Sequence, residues 1–121
     1  MIPQLILTGL LAVTPLINDL FADHADDALA VMDCESSGNP RAVGDDGASI
    51  GLFQIAWDNI WGRYEYPEGI REAADVPAGM TIAETKEWLK DPANNVRVAF
   101  WTWELRGGWS GWGGWSCSRV L

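Results

Sequence analysis

The feature that most constrains this chain is a series of backbone breaks in residues 38–51. Gly38 and Pro40 must end any helix before them, because proline lacks an amide hydrogen and clashes with the preceding helical turn. Three more glycines follow shortly after, and they permit the positive backbone angles of tight turns. We therefore predict a helix with Glu35 in its last turn, followed by a tight loop or β-hairpin over residues 44–55.

The helix before these breaks is indicated by apolar residues that recur every three or four positions. Those residues are Phe21, Ala25, Ala28, Leu29 and Met32. The spacing predicts one helical face, in a helix that begins at Asn18 or Asp19.

Two more helices are predicted in the second half of the chain. Thr81 and Glu84 have the spacing of a capping box, which opens a short helix. Asp91 caps the next helix, with Pro92 at its first position, and Gly107 ends it. A buried stripe is expected on this last helix, at Val96, Ala99, Phe100 and Trp103.

Length and composition indicate one small globular domain. The chain has 121 residues, of which 48% are apolar and eight are tryptophan, so it can form a core. Its net charge of −9 argues against a nucleic-acid partner, because phosphates require a basic surface. We predict a mainly α, compact domain with a small loop-rich or β-hairpin lobe and an irregular stretch over residues 56–80.

Residues 2–17 form an uncharged apolar stretch that contains two prolines. The stretch is short for a membrane-spanning helix. No lysine or arginine precedes Arg41, so the basic start of a signal peptide is missing. Three interpretations of residues 1–22 therefore remain open: an export signal, an anchor with transient membrane association, or a helix packed on the domain of residues 23–121.

The two cysteines of the chain are Cys34 and Cys117. They are either buried free thiols, as in many cytosolic proteins, or a disulfide, which we favour. Cys117 ends a glycine-rich tail that has little else to fix it, and closing a loop of about 83 residues would contribute about 4.5 kcal/mol. Together with the single His24 they lack the spacing of metal ligands, so no metal or other cofactor is expected.

Two short motifs contain the first and the last of these breaks: Glu-Ser-Ser-Gly-Asn-Pro at residues 35–40 and Ser-Ile-Gly-Leu-Phe-Gln-Ile at residues 49–55. In order and spacing they resemble the first two motifs of the lysozyme-like superfamily of goose-type lysozymes and lytic transglycosylases. The resemblance covers roughly residues 24–121 and implies a lysozyme-like domain that cleaves peptidoglycan. Glu35 then corresponds to the general acid, which protonates the leaving glycosidic oxygen.

The resemblance also bears on the type of reaction. Asp45 lies in a turn similar to the goose-type loop whose aspartate positions the attacking water. Goose-type lysozymes have a second aspartate, and Ala56 stands at the corresponding position of this chain. The Ala-Tyr-Asn motif of many transglycosylases is absent at residues 99–101, and Gly44 stands where those enzymes often have serine. We therefore favour hydrolysis with Asp45 as a second catalytic residue; an ordinary turn role for Asp45 is the alternative.

Four further residues are candidates for binding the glycan. Ser49 and Gln54 match polar positions that line the family's groove, although Gln54 could instead have a structural role. Trp57 and Trp101 are expected to face the groove, because flat indole faces match pyranose rings. The tail tryptophans are expected to wrap over the core, with a sugar-stacking strip as the alternative: Trp109, Trp112 and Trp115.

The resemblance implies a monomeric glycosidase that acts on the β-1,4 bond between N-acetylmuramic acid and N-acetylglucosamine. Its partners would be peptidoglycan glycan strands, and it would be secreted, periplasmic or delivered to the cell wall by a phage. The alternative from another class is a catalytically idle wall-binding or virion structural module with the same fold. The retained Glu35, beside an intact Gly-Leu-Phe-Gln segment, counts against that alternative.

Overall fold

The structure is a computed structural model that describes residues 4–61, 69–110 and 115–121, with the backbone alone for residues 4–12 and 59. Its helices are α1 Gln4–Phe21, α2 Ala25–Ser36, α3 Ile70–Ala73, α4 Ile82–Leu89 and α5 Pro92–Arg106. Its strands are β1 Val43–Gly44, β2 Ser49–Ile50 and β3 Ile55–Ala56. The predicted mainly α class, with a small β lobe, is confirmed.

The core lies where α1, α2, α5 and the small sheet meet, and Phe21 is close to its centre. The ring of Phe21 contacts four other aromatic rings at centroid distances of 5.4–6.3 Å: Phe53, Phe100, Trp103 and Trp109. These rings come from the end of α1, the sheet lobe, α5 and the tail. One aromatic cluster therefore joins the helices to the lobe.

The single helix predicted before the glycine-rich breaks is two helices in the structure. Residues Ala22–His24 form a 3₁₀ turn between α1 and α2. The turn lets the two helices pack against each other, with Phe21 and Ala25 buried in one core. The predicted helix start at Asn18 or Asp19 is therefore wrong. Tertiary packing ends α1, since the sequence of the turn contains neither glycine nor proline.

The apolar N-terminal segment forms most of α1. Among its described side chains, Val13 and Ile17 are fully buried in the core, and Pro15 lies inside the helix. No helix in the described part of the chain is both long enough and apolar enough to cross a membrane. The described part of the segment thus packs as a helix on the rest of the domain.

The predicted hairpin is confirmed as a three-stranded antiparallel sheet in the order β1-β2-β3. Val43 pairs with Ile50, and Ser49 pairs with Ala56. The connection between β1 and β2 is a 3₁₀ turn, Asp45–Gly47, which needs positive backbone angles. The sheet therefore presents this polar turn at one end.

The predicted caps of α4 and α5 are confirmed. The Thr81 hydroxyl accepts the amide hydrogen of Glu84, whose carboxylate accepts the amide hydrogen of Thr81. The Asp91 carboxylate accepts an amide hydrogen in the first turn of α5, where Pro92 is the first residue. Gly107 ends α5 in the left-handed conformation, with φ of 80°.

The stretch predicted to be irregular contains a 3₁₀ turn at Asn59–Trp61 and the four-residue helix α3. Helix α3 was not predicted, because a single helical turn has no periodicity to detect. Its Ile70 is nevertheless buried. Tyr64 and Tyr66 of this stretch lie outside the described residues.

The tail packs over the core where it is described. Trp109 and Trp115 are buried, and the indole nitrogen of Trp115 donates to the carbonyl oxygen of Phe53 at 2.8 Å. The expected wrapping is confirmed for these two residues. Trp112 lies outside the described residues.

Asn95 of α5 ties the sheet lobe to the helices. Its side chain is fully buried, and its amide nitrogen donates to the carbonyl oxygens of Ile50 and Leu89, both at 2.9 Å. Its amide oxygen accepts the backbone hydrogen of Phe53 at 2.8 Å. Gly51 makes this approach possible, because a side-chain carbon there would lie 2.7 Å from the Leu89 carbonyl oxygen.

We expect Asn95→Ala to lower the free energy of unfolding by roughly 3–4 kcal/mol, because it leaves three buried backbone groups without a partner. Chemical denaturation measures this change. The exposed Glu104 on the same helix provides the control, since Glu104→Ala should change stability by less than about 0.5 kcal/mol. Equal stability of the two variants would contradict the bridging role.

Candidate functional site

Glu35 lies in the last turn of α2, as predicted. Ser37 follows in the left-handed conformation, with φ of 55°, and its amide donates to the carbonyl oxygen of Asp33 at 2.8 Å. The chain then turns away through the buried Gly38. The Glu35 side chain is half-buried at this helix end.

The C-terminal turn Ser116–Val120 is attached to α2 by a disulfide, which confirms the predicted pair. Cys34 and Cys117 are bonded, with their Cα atoms 5.9 Å apart. The bridge brings two donors to Oε1 of Glu35: the backbone amide of Cys117 at 3.2 Å and the Ser116 hydroxyl at 3.4 Å. The tail therefore orients the carboxyl group of Glu35.

The pKa of Glu35 is raised above its ordinary value. Burial is the largest cause, because removing a carboxylate from water disfavours its charged form. The negative charge of Asp45 raises the pKa further, whereas the hydrogen bonds from Cys117 and Ser116 lower it. The positive charge of Arg119 also lowers it, by less. The net effect favours the protonated form that a general acid needs.

Asp45 begins the turn between β1 and β2, with φ of 51°. Its carboxylate accepts a 2.6 Å hydrogen bond from the hydroxyl of Ser49, which is buried on β2. Hydrogen bonds to an ionised acceptor are short and strong, so Ser49 fixes the orientation of this carboxylate. Asp45 is exposed, and its charge acts on Glu35. Ser49 and Asp45 are thus in direct contact, and Asp45 is linked to Glu35 through its charge.

Gln54 has the contacts of a bracing residue. Its amide nitrogen donates to the carbonyl oxygens of Ala42 at 3.2 Å and Gly51 at 3.1 Å. Its amide oxygen lies over Gly44, where a side-chain carbon would approach it to 2.5 Å. Glycine at position 44 makes room for the Gln54 side chain.

Trp57 follows β3 directly and is half-buried against the core. Its backbone amide donates to the carbonyl oxygen of Ala48 at 3.0 Å, so its position is fixed by the sheet. The ammonium of Lys86 from α4 lies 6.0 Å from the centroid of its ring. Trp57 is therefore an aromatic residue with a cation beside it, near the turn that contains Asp45.

Trp101 lies on α5 and packs edge-on against Phe100, with ring centroids 5.1 Å apart. It is half-buried against the core. The contacts recorded for Trp101 therefore join it to Phe100 and to the core.

Three groups near the site were not identified as candidates from the sequence: the Ser116 hydroxyl, the backbone amide of Cys117 and the Lys86 ammonium. The predicted disulfide was the only signal for the first two, because it required the tail to lie beside Glu35. Lys86 belongs to no motif, and only the folded arrangement places it next to Trp57.

Among residues 4–61, 69–110 and 115–121, no group of three or more His, Cys, Asp or Glu side chains could bind a metal ion. Comparisons of the chain with protein-family models, with curated proteins and with solved structures found no match. Its function is therefore inferred from the chemistry of the site and from the motifs around it.

Proposed function

We propose that this chain is a peptidoglycan-cleaving glycosidase that breaks the β-1,4 bond between N-acetylmuramic acid and N-acetylglucosamine. The observation that carries the proposal is the Glu35 carboxyl group, which is half-buried at the end of α2 and accepts hydrogen bonds from Cys117 and Ser116. Its burial and the charge of Asp45 raise its pKa. A pair of carboxyl groups in unlike environments is typical of glycosidases. The motifs at residues 35–40 and 49–55, which resemble the lysozyme-like superfamily, support the same reading.

Glu35 acts as the general acid in this proposal. Its proton passes to the glycosidic oxygen while the bond between that oxygen and C1 of the N-acetylmuramic acid breaks. The amide of Cys117 and the hydroxyl of Ser116 then stabilise the carboxylate that remains.

Asp45 acts as the general base. It accepts a proton from a water molecule while the oxygen of that water forms a new bond to C1, which completes hydrolysis with inversion. Ser49 keeps the Asp45 carboxylate oriented for this step. In lytic transglycosylation the 6-hydroxyl of the substrate attacks C1 instead, and no second carboxylate is needed.

The proposal is tested by digesting purified peptidoglycan and analysing the released muropeptides by mass spectrometry. The wild-type protein is expected to release fragments that end in reducing N-acetylmuramic acid. Asp45→Asn should slow this release by about 100-fold or more, because a positioned base commonly contributes at least that factor.

Asp46→Asn is the matched control, since Asp46 is an exposed carboxylate in the same turn. It should release muropeptides at the wild-type rate within about twofold. Fragments with 1,6-anhydro ends, lighter by one water, would contradict hydrolysis and leave Glu35 as the acid. Release of no fragment by the wild-type protein would contradict the enzyme and favour an idle wall-binding or virion structural module.

The disulfide between Cys34 and Cys117 is compatible with an oxidising, extracytoplasmic environment. We accordingly propose that the protein works at the cell wall, where it is secreted, periplasmic or delivered by a phage. We further propose that it acts as a monomer. Glycan strands are its proposed partner.

A further inference from the structure

A cation beside an aromatic ring lies at the edge of the proposed catalytic site. The Lys86 ammonium is 6.0 Å from the ring centroid of Trp57. It also borders the turn of Asp45, because a side-chain carbon built on Gly47 would lie 3.6 Å from Nζ of Lys86. Lys86 therefore connects α4 to the end of the sheet lobe where the second carboxylate lies.

The backbone on both sides of this pair is firmly held. Trp57 is hydrogen-bonded to Ala48 across the sheet. On α4, the Thr85 hydroxyl donates to the carbonyl oxygen of Thr81 at 2.8 Å and accepts from the indole nitrogen of Trp61 at 3.3 Å. The pair of Lys86 and Trp57 is thus presented by two anchored elements.

Among the described residues, the contact recorded for the Lys86 charge is the ring of Trp57. In the described part of the chain its ammonium has no carboxylate partner, whereas Lys90, the residue directly after α4, forms a 2.9 Å ion pair with Glu87. The chain as a whole has a net charge of −9, so it repels an anionic polymer. A lysine that forms no ion pair with the described residues, placed beside the turn of Asp45 in such a chain, is suited to binding a negative group of a ligand.

We propose that Lys86 and Trp57 form a subsite for a glycan residue that bears a carboxylate, with the sugar packed on the indole ring and the carboxylate paired with the ammonium. This inference rests on the proposed function and narrows its substrate class. The carboxylate has two possible sources in peptidoglycan: the lactyl group of N-acetylmuramic acid after the peptide is removed, or the free carboxylates of the stem peptide.

The test measures binding to Glu35→Gln protein, which should not consume its ligand, with and without Lys86→Gln. The three probes are glycan strands stripped of peptide, peptide-bearing glycan strands, and neutral oligomers of N-acetylglucosamine. Lys86→Gln should weaken binding of the carboxylate-bearing probes by about tenfold and reduce its dependence on salt. Neutral oligomers should bind both proteins equally, and Lys86→Arg should restore the affinity.

Lys90→Gln is the matched control, because it removes the same charge from the residue directly after α4, and it should change affinity by less than about twofold. Loss of affinity for the stripped strands identifies the lactyl carboxylate, and loss confined to the peptide-bearing strands identifies the stem peptide. Equal weakening for the neutral oligomers, or no weakening for any probe, overturns the subsite. If the wild-type protein still cleaves peptidoglycan in that case, the proposed function stands without the subsite. If the wild-type protein neither cleaves peptidoglycan nor binds any probe, both the subsite and the proposed function are contradicted.

Discussion

Replacing Glu35 with glutamine is expected to abolish the release of muropeptides from purified cell walls. Glutamine preserves the size of the side chain and can still accept the amide hydrogen of Cys117, which lies 3.2 Å from Oε1 of Glu35. It has no proton to transfer to the glycosidic oxygen. General acid catalysis contributes factors of about 10²–10⁴, so the rate should fall by that amount. A zymogram and a timed digestion measure the loss.

Asp33→Asn is the control for this substitution, because Asp33 is an exposed carboxylate in the same turn of α2. It should leave the digestion rate within about twofold of wild type. A Glu35→Gln protein that retains activity within a few-fold of wild type would remove Glu35 from the mechanism.

The stability of the Glu35→Gln variant should not fall at neutral pH. The raised pKa of Glu35 means that the folded protein binds this proton more tightly than the unfolded chain does. Stability is therefore lost as the pH rises from the ordinary pKa of glutamate through the raised pKa. Glutamine removes this loss, so thermal unfolding at neutral pH should show a variant at least as stable as wild type.

The pH dependence of activity follows from the same group. Activity should fall as the pH rises through the pKa of Glu35, because the deprotonated acid cannot act. Asp45→Asn removes a negative charge that raises this pKa, so the midpoint should move to lower pH. An NMR titration of the Glu35 carboxyl group in both proteins measures the shift without relying on activity.

The helix ends of this fold were predictable because their causes are local. The capping box of Thr81 and Glu84, the cap of Asp91 and the stop at Gly107 each depend on hydrogen bonds within a few residues. The end of α2 after Glu35 was predictable for the same reason.

The break between α1 and α2 was not predictable, because it has a tertiary cause. Ala22 adopts a positive φ of 49°, which its residue type does not favour. The free-energy cost of this conformation is offset by the burial of Phe21 and Ala25 in a core whose other parts are remote in sequence. The fully buried Asn95 was missed likewise, since its three partners belong to the sheet lobe and to the end of α4.

The candidate site was half predictable. Glu35 belongs to the motif at residues 35–40, and Asp45 lies in the turn that the glycines of residues 38–51 predicted. The donors at Ser116 and Cys117 lie 81 and 82 residues away from Glu35 in sequence, so only the disulfide indicated that they approach it. Lys86 had no such signal, because a lysine on a short helix is ordinarily a solvated charge.

Removing the disulfide should produce the largest loss of stability in the molecule. The bridge joins residues 83 positions apart, and in the chain-entropy model a loop of that length contributes about 4.5 kcal/mol. The double variant Cys34→Ser/Cys117→Ser should therefore unfold at a temperature lower by roughly 10–20 °C. Calorimetry measures the shift, and native wild-type protein should be two mass units lighter than its reduced form. Two free thiols in protein prepared under oxidising conditions would contradict the bridge.

The same double variant separates the stabilising effect of the bridge from its effect on Glu35. Below the unfolding temperature of the variant, its helices should be intact by circular dichroism, but the C-terminal turn is no longer attached beside Glu35. The acid then loses the amide of Cys117 and the hydroxyl of Ser116, and the rate of digestion should fall by roughly tenfold. Ser116→Ala, which keeps the bridge and removes only the 3.4 Å contact, should lose less activity and retain the wild-type unfolding temperature. A folded double variant with wild-type activity would show that the bridge stabilises the chain without orienting the acid.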